Sequence, residues 1–449
     1  MKQGKTKTAW QKTRKFFNDI HLWLGLASGI IVILICLSGT IYVFNTELKE
    51  MASPELYKVD AKGAKPIQIE ALMARVKAST GGKVTSVKIP ADPNKTYQFM
   101  VKMKDKDGEG KKEGGDRKKG AAELSGAPSK DKNKGGKGKE GPGEGKRPSA
   151  FAVNQYTGEV LGNVSETKTA TGEFMKTMFS LHRWLLLDKI EKPLFGELEN
   201  RKLGSYISGT ATILFTLGVI TGIVIWFPQK MKAWRQGLKV KWSGSWKRTN
   251  HDLHNSLGFY ACIFLFLMGI TGPQWSFPWY REALRKTLGT YQPEGFEPPA
   301  DPVSKINAEN AKSLSIAKYI DKAQEVLPYA GDYLVSLPKD SLSAIAITKN
   351  RTGFFAPSAG DKLLLDQYTA GVLKVDVFKD KPFNERVSGS IKALHLGDVY
   401  GMFTKIIYFF ACLVATTLPV TGTLIWLNKL KKKRKPKKVN PVQAMQPAL

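Results

Sequence analysis

The chain of 449 residues contains five histidines, and all five lie at the ends of apolar runs. A neutral imidazole offers a lone pair to iron, and two of them, one on each side, make a six-coordinate b-type haem without a covalent link. His21 and His254 stand at the starts of the first and third apolar runs, and His251 lies one helical turn before His254. His182 and His395 each follow a Gln-Tyr-Thr segment at nearly the same interval. The pairs His21/His254 and His182/His395 therefore predict two haems between helices, one per membrane face. Any single histidine at a membrane edge is also accounted for by hydrogen bonds to headgroups or a helix end. The symmetry of the two pairs carries the haem reading. His251 and His254, at i and i+3, share a helix face and cannot be opposite ligands of one iron. One ligates while the other supports it or helps to bind a quinol, and His254 is favoured because it aligns with His21. Arg183, beside His182, suits either a haem propionate or a headgroup phosphate.

The segments that must position these side chains are Ile20–Phe44, Tyr206–Phe227, Leu257–Trp275 and Met402–Leu427. At ~1.5 Å per residue each can cross a ~30 Å hydrocarbon core. No Asp, Glu, Lys or Arg interrupts the middle of the first three, and Lys405 lies near the start of the fourth, where it can snorkel. The first run exceeds a signal-peptide core and no small-x-small cleavage site closes it, so it is read as a retained helix. The predicted spans are 20–45, 203–227, 251–275 and 401–427. Lysine and arginine crowd the tail 1–19, the loop 228–250 (Lys230, Lys232 and Arg235 among them) and the tail 428–449. By the positive-inside rule these are cytoplasmic, both termini included. Segments 46–200 and 276–400 are then extracytoplasmic.

The chain repeats itself. His21-Leu-Trp-Leu-Gly25 with Ser38-Gly39 matches His254-Asn-Ser-Leu-Gly258 with Thr271-Gly272, and each histidine precedes the second glycine by 18 residues. Thr221-Gly-Ile-Val-Ile-Trp226 matches Thr421-Gly-Thr-Leu-Ile-Trp426, and Asn154-Gln-Tyr-Thr-Gly-Glu-Val-Leu161 matches Asp366-Gln-Tyr-Thr-Ala-Gly-Val-Leu373. Helical patterns at Gln68–Ala78 and Ala308–Val326 precede alternating strands such as Val84–Ile89 and Tyr333–Leu337. The expected fold is a membrane α-helical protein: four transmembrane helices in a tandem repeat of helix, domain, helix, with two small α+β extracytoplasmic domains. Residues 104–149 are Lys, Gly, Glu, Asp and Pro with few large apolar side chains, which predicts a disordered insert between two strands. Segment 173–188 reads as an amphipathic surface helix. Gly25-x-x-x-Gly29 and Gly218-x-x-x-Gly222 are spacings that let helices approach closely, which would also make room for a flat macrocycle.

The formal charge of +30 comes mostly from the topology signal and the insert, so nucleic acid is not an expected partner. Cys36, Cys262 and Cys412 are each alone in a span, with no metal spacing and no C-x-x-C-H for covalent haem. No dinucleotide fingerprint or Walker loop is present, so no NAD or flavin site is expected. Electrons would come from a membrane quinol or another redox protein.

His21-Leu-Trp-Leu-Gly with Leu37-Ser-Gly-Thr, Leu181-His-Arg-Trp-Leu-Leu, Leu217–Trp226 and the Tyr-Thr-Gly-Glu-Val strand resemble the PepSY-associated transmembrane helix family. The resemblance covers the chain apart from the insert and the tails. It is specific in combination and weak motif by motif. It implies that the two α+β units are PepSY domains, and a likeness to bacterial inner-membrane di-haem ferric-siderophore reductases of the ferrioxamine type. By that likeness the chain would be a ferric-chelate oxidoreductase for iron uptake, with ferric siderophore as substrate in the periplasm. No residue is assigned to catalysis or to siderophore binding. A non-redox envelope module that binds or regulates a peptidase or another partner is the alternative, and a haem protein with a different acceptor is a third reading.

Overall fold

The computed structural model describes residues 9–103, 148–165, 169–228, 234–305 and 312–434. Residues 104–147 of the predicted disordered insert, the extreme N-terminal lysines, Lys230 and Lys232, residues 308–311 of the predicted second helix and the tail from 435 lie outside the described residues. Ser149, at the predicted end of the insert, opens a strand, and the second helix starts at Ile316 rather than Ala308.

The chain opens with helix α1 (Ala9–Tyr42), followed by α2 (Asn45–Ala52) and α3 (Ile69–Thr80). Strands β1 (Lys83–Ile89), β2 (Tyr97–Lys102), β3 (Ser149–Val153) and β4 (Val160–Asn163) come next. Then α4 (Ala170–Trp184) leads to α5 (Asn200–Trp226) and α6 (Trp246–Thr271). The second half continues with α7 (Ile316–Val326), β5 (Gly331–Ser336), β6 (Ile345–Arg351), β7 (Asp361–Leu365) and β8 (Val372–Asp376). It ends in α8 (Ile391–Leu396) and α9 (Gly401–Arg434).

Among the described residues four helices are long and apolar enough to cross a membrane: Ala9–Tyr42, Asn200–Trp226, Trp246–Trp275 and Gly401–Lys431. The protein is a multi-pass membrane protein, and the lipid bilayer is its solvent along these spans. The helices outrun the apolar runs at several ends because polar residues continue a helix once it has left the hydrocarbon. The surface helix closes at Trp184, before the predicted 188, because Leu185 and Leu186 both take positive φ (55° and 62°). A left-handed residue cannot continue a right-handed helix.

By contacts the chain divides into two compact units. One comprises the described parts of Met1–Val43, Met178–Tyr280 and Ile407–Leu449, and the other those of Phe44–Thr177 and Arg281–Ile406. In the first unit the four spans meet around Ala261, Leu265, Ala411 and Ala415, with Cys36, Phe215, Val219, Met268 and Leu418 packed against them. Small residues set the approach: a Cβ on Gly29 would lie 3.2 Å from Pro419 Cβ, and one on Gly204 would collide with the Trp184 backbone. Ser208 Oγ donates to the Arg183 carbonyl at 2.9 Å, which further ties the end of α4 to α5.

The second unit differs from the two separate α+β domains that the sequence predicts. Its strands form one eight-stranded sheet in the order β4-β3-β2-β1-β5-β6-β7-β8. β1 pairs antiparallel with β5, from Ser86 opposite Ser336 to Ile89 opposite Tyr333. A four-stranded half taken alone would have two edges with unpaired backbone groups, and pairing β1 with β5 removes one edge from each half. Alternate residues Val87, Phe99, Val153, Val335, Ile347 and Leu363 are buried against Leu72 and Val76 of α3 and Tyr319 and Ala323 of α7. The core is thus common to both halves, and Glu70 Oε1 accepts the Ile316 N–H at 2.6 Å to link the two helices.

Candidate functional site

Three of the histidines are held in the same way. In each case the ring's Nδ1 reaches across to a neighbouring helix, and its Cε1 edge lies on a glycine of that helix. His21, on α1, places Nδ1 3.0 Å from the Gly218 carbonyl and 3.1 Å from Thr221 Oγ1 of α5. A Cβ on Gly222 would stand 3.3 Å from its Cε1. His254, on α6, places Nδ1 2.9 Å from Thr421 Oγ1 of α9, with the Leu418 carbonyl as a backbone partner. Here a Cβ on Gly422 would stand 3.2 Å from Cε1. His182, on α4, donates to the Ile35 carbonyl of α1 at 2.7 Å, and a Cβ on Gly39 would lie 3.1 Å from its Cε1. In each cradle the accepting carbonyl precedes the glycine by one helical turn, so both lie on one face of the receiving helix.

These contacts fix the tautomer. A carbonyl oxygen only accepts, so Nδ1 of His21 and of His182 must carry the proton. Thr221 Oγ1 spends its own hydrogen on the Leu217 or Gly218 carbonyl at 2.9 Å, and Thr421 Oγ1 on Thr417 at 3.0 Å or Leu418 at 3.1 Å. Both hydroxyls therefore present a lone pair to the imidazole. With Nδ1 protonated, the lone pair of the neutral ring sits on Nε2, the arrangement that a metal-ligating histidine needs. Burial holds His182 below its ordinary pKa, against the opposing effect of the Ile35 bond.

His21 and His254 face one another, with ring centroids 6.1 Å apart and planes at 79°. Two imidazoles on opposite sides of one metal, at ~2 Å per metal–nitrogen bond, have centroids roughly 6 Å apart. The residues present fit a bis-histidine haem iron on three counts: spacing, tautomer and the glycine clearance beside each ring.

The other histidines are placed differently. His251 has a half-exposed side chain, with Nδ1 3.3 Å from Asn255 Nδ2 and 3.6 Å from Asp252 Oδ1. It rests on its own helix and has no cradle of this type. His395 lies on α8, in the unit that carries the sheet, just before the left-handed Gly397 that ends the helix. Arg183 donates from Nη2 to the Trp275 carbonyl at 3.2 Å, while its Nε is buried with no hydrogen-bond partner among the described residues. Burial, then the nearby Arg201 charge, pulls its guanidinium below the ordinary arginine value. Arg201 itself stacks 4.3 Å from the Trp184 ring centroid. An orphaned guanidinium nitrogen beside His182 suits an anionic group.

The PepSY-associated TM region family matches residues 19–429, which takes in all four spans and the sheet. The chain belongs to that family. No curated protein matches the chain. Within this PepSY-associated TM region protein, the histidines were visible in the sequence and their supports were not. Thr221, Thr421 and the pairs Thr-Gly and Ser-Gly read as a span-end repeat, and Gly218-x-x-x-Gly222 as helix packing. Gly218 instead supplies a carbonyl and Gly222 a ring-sized gap for His21, whereas Gly25 has no neighbour within 4 Å of an added Cβ. The repeat itself was the available signal, since a Thr-Gly pair on a neighbouring span recurs with both His21 and His254.

Proposed function

We propose that this protein is a b-type di-haem electron carrier of the bacterial inner membrane, with both termini cytoplasmic, that reduces ferric siderophore iron on the periplasmic side. The observation that carries the proposal is the facing pair His21 and His254, each with Nδ1 committed to a neighbouring span. His21 and His254 would hold the inner haem, with His254 rather than His251 as ligand because only His254 has the cradle. His182 would hold the outer one, and the sequence repeat assigns His395 as its second ligand. A haem bound at these places supplies reversible one-electron chemistry in an apolar interior.

The chain's own groups do the orienting. Gly218 and Leu418 carbonyls, with Thr221 and Thr421 hydroxyls, keep each inner ring from rotating and keep the proton on Nδ1. The apolar side chains around Leu265 and Ala415 exclude water from the path between faces. Arg183 offers its buried Nε to a carboxylate. Reduction to the ferrous ion weakens the hold of a hard-oxygen chelator, which is how reduction would release siderophore iron. The electron donor is a membrane quinol or a redox protein, because no nucleotide motif occurs in the sequence. A tandem duplication of helix, PepSY domain, helix underlies the pairing: four strands in each half and the repeated Thr-Gly cradles support it.

The deciding experiment is a reduced-minus-oxidised spectrum of protein purified from haem-replete cells. A b-type spectrum with about two haems per chain is expected. Colourless protein would end the redox reading and leave a non-redox envelope module.

A further inference from the structure

The connection from β6 to β7, residues 352–360 (Thr-Gly-Phe-Phe-Ala-Pro-Ser-Ala-Gly), carries no charged residue, and its two phenylalanines stand out of the sheet. Phe354 is 67% exposed and Phe355 62%. They are not solitary. Their ring centroids lie 5.4 Å and 5.0 Å from Phe403, in the first turn of α9, and 4.8 Å from each other. The Ser358 N–H donates to the Val399 carbonyl at 2.9 Å, so the loop is fixed to the chain that leads into that helix. Tyr400, Met402 and Ile406 extend the same apolar exposure along the start of α9.

We infer that Phe354 and Phe355 form an interfacial anchor that inserts into the lipid bilayer beside the outer end of the fourth span. A contiguous exposed apolar patch on a protein calls for a partner surface. Here the partner follows from continuity: α9 is a spanning helix from Gly401, so Phe403 sits where that helix meets the headgroup and acyl boundary. Rings packed on Phe403 lie at the same depth, where aromatic side chains are favoured. The loop composition agrees, since a charge there would have to be desolvated.

This inference does not depend on haem, and its test is separate. A benzophenone side chain is placed at Phe354 or Phe355 of the full chain, or at Phe410 as a control on the exposed face of the fourth span. The protein is reconstituted into phosphatidylethanolamine–phosphatidylglycerol vesicles, irradiated, and analysed by mass spectrometry, scoring preparations that label from Phe410. The expected result is addition of one phospholipid mass from Phe354 or Phe355, in a yield within about threefold of Phe410. A cross-linked second copy of the chain, or no adduct from either loop position, would overturn the proposal.

Discussion

The cradles of His21 and His254 and the Gln-Tyr-Thr turns of the sheet are each a repeated pair, and they differ in how their polar atoms are used. In the sheet, Gln367 Nε2 donates to the carbonyls of Asp340, Ser341 and Ser343 at 3.1, 2.8 and 3.0 Å, and its Oε1 accepts from Ser313 Oγ at 2.9 Å. Gln155 binds Pro93 and Lys95 carbonyls at 3.0 and 3.1 Å. Tyr156 and Tyr368 each donate a hydroxyl to a carbonyl of the preceding loop, both at 2.8 Å. Gln367 and the two tyrosine hydroxyls spend their polar atoms within the fold, as buried polar groups do when their role is structural, whereas the Gln155 Oε1 is buried with no hydrogen-bond partner among the described residues. In the cradles of His21 and His254 the Nδ1 is bonded across to a neighbouring span and Nε2 carries the lone pair of the neutral ring. The comparison teaches that repetition alone does not mark function.

The largest effect should come from removing the ring. His21→Ala or His254→Ala is expected to eliminate one of the two haems and His182→Ala the other, read by pyridine haemochrome, with sheet stability unchanged. Retention of both haems in all three variants would break the contrast between cradle and turn. Thr221→Val and Thr421→Val keep the ring and remove one of its supports. Haem affinity should fall on the order of 10–100-fold, as for other partners that orient a metal ligand, with both cradles affected alike. Haem titration of the apoprotein checks this, and an effect confined to one cradle would show that the halves have diverged.

The smallest effect lies in the sheet and sharpens the difference between its halves. Asp366 accepts backbone N–H groups of Tyr368, Thr369 and Lys305 at 2.8, 3.0 and 2.7 Å, where the first half has neutral Asn154. Burial raises its pKa, but these bonds outweigh burial and the net shift is downward. A carboxylate with a depressed folded-state pKa contributes stability above its unfolded value of about 4 and loses it as pH falls through the folded value. Acid should therefore loosen the second half of the sheet first, and Asp366→Asn should flatten that response in hydrogen exchange followed against pH. Equal acid sensitivity in Asp366→Asn and the parent chain would remove Asp366 as the cause.

Much of the fold was legible because its signals are local. Hydropathy marked the four spans, and alternation marked β1 and β5 to within two residues at each end. The helix at Gln68–Ala78 appears as Ile69–Thr80. The site was legible by halves: His21 and His254 stood out as repeat equivalents, while the roles of Thr221, Thr421 and Gly222 did not. A threonine in a span normally bonds its own helix carbonyl, as Thr221 and Thr421 also do, so its type alone does not announce a second partner.

The sequence by itself therefore determined the number of spans, the family and the recurrence of histidines at span ends, because each rests on composition or spacing within a short window. Only the tertiary structure decided that β1 pairs with β5 to make one sheet, since an edge strand's partner is set by backbone hydrogen bonds between distant segments. It alone decided which face of each receiving helix meets an imidazole. That depends on how helices cross, where the absence of a Cβ at Gly39, Gly222 or Gly422 leaves room for a ring. The crossing also turns Nδ1 toward a carbonyl and so settles which nitrogen holds the proton.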